Sequence, residues 1–234
     1  MKRTSLERRG IMKAIIFDLD GTLFQTEKVA VPAFQETFRH LQTTGKFQGD
    51  IPDEEKIQSV FGMTHQELWE VLLPGADSAL KEKADRFMLQ KELELFRQGK
   101  GEIFPGVRET LMQFYEDGWP LFVASNGAGD YVRTALETKG LISLFKGIYT
   151  AGEYQTADKS DLVRILKNDY GVTDGLMVGD RSSDIKAGKE NQLFSVGCRY
   201  TGYPCFGQEN ELDEADAIIH SFPELKQVVE ATKK

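Results

Sequence analysis

Short apolar runs bounded by polar or glycine-rich turns recur along the chain at residues 14–17, 121–124, 176–178, 193–196 and 217–219, with a weaker candidate at 147–150. Runs this short and this uniformly apolar are expected of strands covered on both faces, as in a parallel sheet. Helical periodicity fills the gaps between them. Tyr131, Val132, Ala135 and Leu136 form one stripe. Leu162, Val163, Ile165, Leu166 and Tyr170 form another, which Gly171 closes in the manner of a left-handed C′ residue. Ser221, followed three residues later by Glu224, predicts a capping box on the last helix. Alternating strand and helix predicts a doubly wound α/β core with a parallel, Rossmann-like sheet.

Residues 24–100 interrupt that alternation with helices alone. Ala30, Ala33, Phe34, Thr37, Phe38 and Leu41 share one helical face. Thr64 and Glu67 spell a capping box ahead of Leu68, Trp69, Val71 and Leu72, and Leu80, Ala84, Phe87, Met88 and Leu95 mark a long third helix. The pattern predicts a small helical cap domain, 24–100, inserted into a core made of 12–23 and 101–234. Residues 1–11 are polar and basic, and Arg8-Arg9 lacks the apolar stretch that an export signal needs. They read as a disordered leader, with Met12 opening the first strand and available as the true start.

Composition narrows the class. With 40% apolar and 28% charged residues among 234, the chain is that of an ordinary globular protein. No apolar run approaches the ~20 residues that span a bilayer. A net charge of −8 with both signs interspersed argues against a nucleic-acid polymer as partner. Cys198 and Cys205 are too few for a disulfide framework, which places the protein in a reducing cytoplasm.

The candidate chemistry collects where predicted strands end, the edge at which open α/β sheets hold ligands. Asp18 and Asp20 follow the first strand, with Gly21 allowing a sharp exit. Ser125-Asn126-Gly127 follows another, a hydroxyl and free N–H groups ahead of a helix suiting an anion. Asp180 ends a third, with Asp184 one helical turn on and able to face the same point. Acid, hydroxyl and acid converging from three elements form the oxygen-rich set that a hard divalent cation takes.

Asp18-Leu19-Asp20-Gly21-Thr22 resembles motif I of the haloacid dehalogenase superfamily, Ser125 its motif II, and Gly179-Asp180 with Asp184 its motif IV. Lys159 is the best match to motif III, although the prolines usual after that lysine are replaced by Ser160-Asp161-Leu162. Lys146 is the fallback. The resemblance covers the chain from Met12 onward and includes a helical cap at the position of 24–100. It implies a Mg²⁺-dependent phosphatase in which Asp18 attacks phosphorus and Asp20 serves as acid and then base. It also implies a metal held by Asp18, the Asp20 carbonyl, Asp180 and Asp184, with Ser125, Asn126 and Lys159 on the phosphoryl group and Thr22 assisting there by orienting the site.

The implied partner is a small phosphorylated metabolite, with phosphoglycolate, sugar phosphates, nucleotides and pyrophosphate all open. Monomer and homodimer are both open as well. A phosphomutase of the β-phosphoglucomutase type would use the same carboxylates, and an inactive binding protein would keep only the fold. A dehalogenase or a phosphonate hydrolase is disfavoured by Asp20. A receiver domain is shorter and carries its phosphorylated Asp in mid-chain. Arg39, Lys56, Arg86 and Arg97 are candidate substrate cations on the cap, or plain solvated charge. His65 is a candidate for facing the substrate, whereas His40 and His220 read as surface or capping groups, and Phe61 and Trp69 as core.

Overall fold

Strand β1 (Met12–Phe17) is followed by four helices, α1 (Glu27–Thr43), α2 (Glu54–Gln58), α3 (His65–Leu72) and α4 (Ser78–Arg97). Then come α5 (Val107–Glu116), β2 (Leu121–Ser125), α6 (Gly129–Thr138), β3 (Gly147–Thr150), α7 (Ala151–Tyr154) and α8 (Lys159–Tyr170). The chain continues through β4 (Val172–Gly179), α9 (Ser182–Glu190), β5 (Phe194–Cys198), β6 (Ala217–Ile219) and α10 (Leu225–Ala231). This computed structural model describes residues 12–156, 158–208 and 210–232. The segment 1–11, expected to be a leader, lies outside the described residues. No helix among those described is long and apolar enough to cross a membrane.

The six strands are all parallel, in the order β3-β2-β1-β4-β5-β6. From β1 the chain winds outward to β3, then returns to lay β4 on the other side of β1. The switch point therefore falls between β1 and β4, and their carboxyl ends deliver Asp18 and Asp180 side by side. Both sheet faces are covered, which explains why the strands read as unbroken apolar runs. Ile15, Phe17, Val123 and Val178 point into one core layer, while Ala14, Ile16, Phe122 and Met177 point into the other.

Helices α1–α4 gather around a cluster of their own that includes Phe34, Phe38, Leu41, Ile57, Trp69 and Met88. The expected Thr64–Glu67 capping box is present, with the Glu67 carboxylate accepting from the Thr64 N–H at 2.8 Å. The two connections to the sheet pair with each other: Phe24 bridges Ile103, the Gln25 N–H donates to the Glu102 carbonyl, and Phe104 N–H donates to that of Leu23. The link between β5 and β6 reaches back, placing Phe206 edge-on to Phe61 at 4.9 Å between ring centres.

Several expectations shift. The five-residue α2 had no visible stripe and rests on Asp53, whose carboxylate caps the Lys56 N–H. Strand β5 starts one residue later than the apolar run and extends two residues beyond it, and β4 starts four residues earlier than its own. Ser221 does not cap a helix. Glu224 instead reaches the His220 N–H and the Ser221 hydroxyl, and a 3₁₀ turn precedes α10.

The β1–β4 pairing leaves no space at Gly175, where φ is +140° and an added Cβ would fall 1.9 Å from the Ala14 carbonyl oxygen. Gly175→Ala is expected to cost at least about 2 kcal/mol, read from the urea unfolding midpoint at constant m.

Candidate active site

The first residues after β1 fold back on themselves. Thr22, Leu23 and Phe24 N–H groups donate to the Leu19 carbonyl, so Asp18 and Asp20 are presented by a turn rather than by extended chain. Both still line one cavity of about 60 Å³ at the edge of the sheet. Gly21 allows this turn: its φ is +74°, and an added Cβ would lie 2.1 Å from Asp180 Oδ2.

Lys159 organises the acids. It is the first residue of α8, behind an Asp158 N-cap, and only 3% exposed. Its Nζ donates to Asp184 Oδ1 at 2.6 Å and stands 2.9 Å from Asp18 Oδ1. Burial and the positive end of the helix both work against an ammonium there. The Asp18 and Asp184 carboxylates outweigh burial and hold the lysine above its usual range. Lys146, the alternative, is exposed and lies over the Tyr170 ring.

Asp184 is fully buried, and its second oxygen accepts from the Arg181 N–H at 2.9 Å, so it caps α9 and joins the cluster together. Asp18, Asp180 and Asp184 each offer an oxygen within 4.8 Å of the others. Burial, with the neighbouring carboxylates, raises the Asp180 carboxyl well above the ordinary range. Burial likewise pushes Asp18 up to about 7, against the pull of Lys159. Asp18 Oδ1 is buried and has no aligned hydrogen-bond donor; Lys159 meets it as an ion pair only.

Asp20 differs in kind. Its Oδ1 accepts from the Thr26 hydroxyl at 2.5 Å and the Tyr131 hydroxyl at 2.6 Å. Burial raises its carboxyl, opposed by those two bonds. Ser125 is buried beside Asp18 in the cavity wall, its Oγ accepting from the Gly127 N–H at 3.0 Å. Asn126 lines the cavity too, but its Nδ2 donates to the Gly62 carbonyl of the helical segment at 2.9 Å. Thr22 is not in the cavity wall; its hydroxyl donates to Asp180 Oδ1 at 3.2 Å.

The helical segment closes the far side. His65 lines the cavity with Nδ1 2.6 Å from Asp85 Oδ1, which also accepts from Trp69 Nε1. Phe61 lines it as well as packing on Phe206, whereas Trp69 is core. Arg39, Lys56, Arg86 and Arg97 are exposed and none reaches the cavity. His40 stacks on Phe87, and His220 faces solvent. Arg181 pairs with Glu211 at 3.0 Å.

Sequence reasoning missed Thr26, Tyr131 and Glu92. Tyr131 reads from sequence only as part of an apolar stripe. Glu92 was legible in principle, because it continues Ala84 and Met88 at four-residue steps along the buried face of α4.

The sequence model of the haloacid dehalogenase-like hydrolase family matches residues 15–198. A phosphoglycolate phosphatase of Photobacterium profundum is 27% identical over 226 residues, covering 93% of this chain and 96% of its own. A pyrophosphatase, PpaX, of Listeria monocytogenes is 23% identical over 191 residues, 80% of this chain and 83% of its own. Among solved structures, a predicted phosphoglycolate phosphatase of Haemophilus somnus superposes with a TM-score of 0.79 at 19% identity, covering 95% of this chain and all of its own.

Removing the buried ammonium leaves Asp18 and Asp184 facing each other unpaired. Lys159→Met is expected to lower stability by about 3–5 kcal/mol in metal-free buffer, measured by urea denaturation.

Proposed function

The chain belongs to the haloacid dehalogenase-like hydrolase family, and from that premise we propose a magnesium-dependent phosphatase that hydrolyses small phosphomonoesters through an aspartyl-phosphate on Asp18. In this reading 12–23 and 101–234 form the catalytic core, and 24–100 forms a cap that limits the substrate's size. The observation that carries the proposal is the buried Asp18–Asp180–Asp184 cluster, whose Asp18 lines a cavity together with Asp20.

The cluster fits a hard divalent cation. Its donors are carboxylate oxygens from two adjacent strand ends and the helix after one of them, two of the three carboxylates share a single ammonium, and Asp18 Oδ1 lacks an aligned donor. Asp18, Asp180 and the Asp20 carbonyl would hold Mg²⁺, with Asp184 as a ligand or as the anchor of Lys159. Bound there, Mg²⁺ supplies charge neutralisation for the phosphoryl oxygens and for the attacking carboxylate.

The rest falls to the chain itself. The Ser125 hydroxyl, Asn126 and Lys159 hold the phosphoryl oxygens, with the Gly127 N–H fixing the Ser125 hydroxyl. Asp18 attacks phosphorus as the bond to the leaving alcohol breaks, and Asp20 gives that oxygen its proton. Thr26 and Tyr131 both occupy Oδ1, which leaves Asp20 Oδ2 for proton transfer, and burial favours the protonated start that this requires. Asp20 then takes a proton from water, which attacks phosphorus, frees phosphate and restores Asp18. Thr22 steadies Asp180.

Phosphate release from small phosphomonoesters is expected with Mg²⁺ and to stop when the metal is chelated. Asp18→Asn should lower kcat at least about 10³-fold and Asp20→Asn about 10²–10⁴-fold. Equal rates for Asp18→Asn and the unaltered chain would remove Asp18 from the mechanism.

A further inference from the structure

The cavity before Asp18 has two sides of opposite chemistry. The sheet side carries Asp18, Asp20, Ser125 and Lys159. The side supplied by the helical segment is mostly apolar, with Ala30, Phe34, Val60, Phe61, Leu68 and Met88. Its polar side chains are Thr26, already bound to Asp20, His65, held by Asp85, and Glu92.

Glu92 is the unexplained one. It is 5% exposed, lines the cavity, and has neither a hydrogen bond nor an ion pair among the described residues. Burial raises its carboxyl well above the usual range, with Asp20 and Asp85 adding to the effect and no cation opposing it. Its oxygens open onto the cavity, and a carboxyl so desolvated and without a protein partner does nothing for the fold. No lysine or arginine lines the helical side of the cavity: Lys159 stands on the sheet side between Asp18 and Asp184, and His65 is held by Asp85.

We propose that Glu92 is the specificity-determining residue for the leaving alcohol. The preferred substrate is the phosphomonoester of a compact alcohol that offers Glu92 a hydroxyl or ammonium donor and carries no second anionic group. A donor there satisfies the carboxyl and draws it toward the carboxylate, whereas a carboxylate or second phosphate would enter an apolar compartment with no lysine or arginine to meet it. This deepens the phosphatase reading and rests on it. It also sets the chain apart from relatives named for phosphoglycolate or pyrophosphate, whose leaving groups are anionic.

The test compares kcat/KM of the full-length protein with Mg²⁺ on glycerol 3-phosphate, phosphoethanolamine, n-propyl phosphate, phosphoglycolate and pyrophosphate. The first two are expected to exceed the last two by at least tenfold, and the better of them identifies the donor as hydroxyl or ammonium. Glu92→Leu is expected to lower the ratio of that substrate to n-propyl phosphate about tenfold or more, while raising Tm, because an unpartnered carboxyl leaves the interior. Phosphoglycolate or pyrophosphate matching the neutral and cationic esters would overturn the proposal and leave the phosphatase reading standing. An unchanged ratio together with a lower Tm in Glu92→Leu would make the residue structural and overturn it as well. Phosphate release from none of the five would overturn the phosphatase reading, and this inference with it.

Discussion

One buried ammonium holds the site together. Lys159 lies between Asp18 and Asp184, with an added Cβ on Gly179 only 2.1 Å from Asp184 Cγ, so backbone, lysine and acid are fitted to one another. Without that cation, carboxylates delivered by two adjacent strands would repel each other in an apolar core. The constraint runs in both directions. The acids hold a lysine charged where burial and the helix N-terminus disfavour it, and the lysine holds two of the acids in register with the third. The arrangement remains short of positive charge, and that shortage is what would suit it to a divalent cation.

The fold supplies this geometry through topology. Placing β4 beside β1 brings Asp180 next to Asp18 although they are far apart in sequence, and the turn after β1 swings Asp20 across the cavity to Thr26 and Tyr131. The helical segment is tied to the sheet at its paired connections, at Asn126 with Gly62 and at Phe206 with Phe61. These contacts set the distance between the reacting groups and the wall that the leaving alcohol would meet.

Much of this could be read from sequence because the parallel sheet imposes unbroken apolar runs and places polar chemistry at strand ends. Residues 14–17 followed by Asp18 and Asp20 required no three-dimensional information, and neither did the helical interruption at 24–100. What stayed hidden depends on distant contacts. The order of elements favours Lys159 over Lys146, but that its ammonium ties Asp18 to Asp184 is visible only in the folded chain. Tyr131 and Thr26 gain their meaning from a carboxylate that each meets through the folded chain. Arg39, Lys56, Arg86 and Arg97 are candidates by charge alone, and the fold turns them to solvent. Glu92 carried a faint signal, an acid in step with an apolar stripe. The short α2 carried none beyond its Asp53 cap, because five residues are too few for a periodicity.

Whether Asp18 carries the phosphoryl group during turnover is read from rapid acid quench of a single turnover. With a phosphomonoester labelled on phosphorus, transient protein-bound label is expected that maps to the peptide containing Asp18, is released by hydroxylamine, and is absent from Asp18→Asn. Full release of labelled phosphate with no protein-bound label at any time, or label on a peptide lacking Asp18, would contradict it.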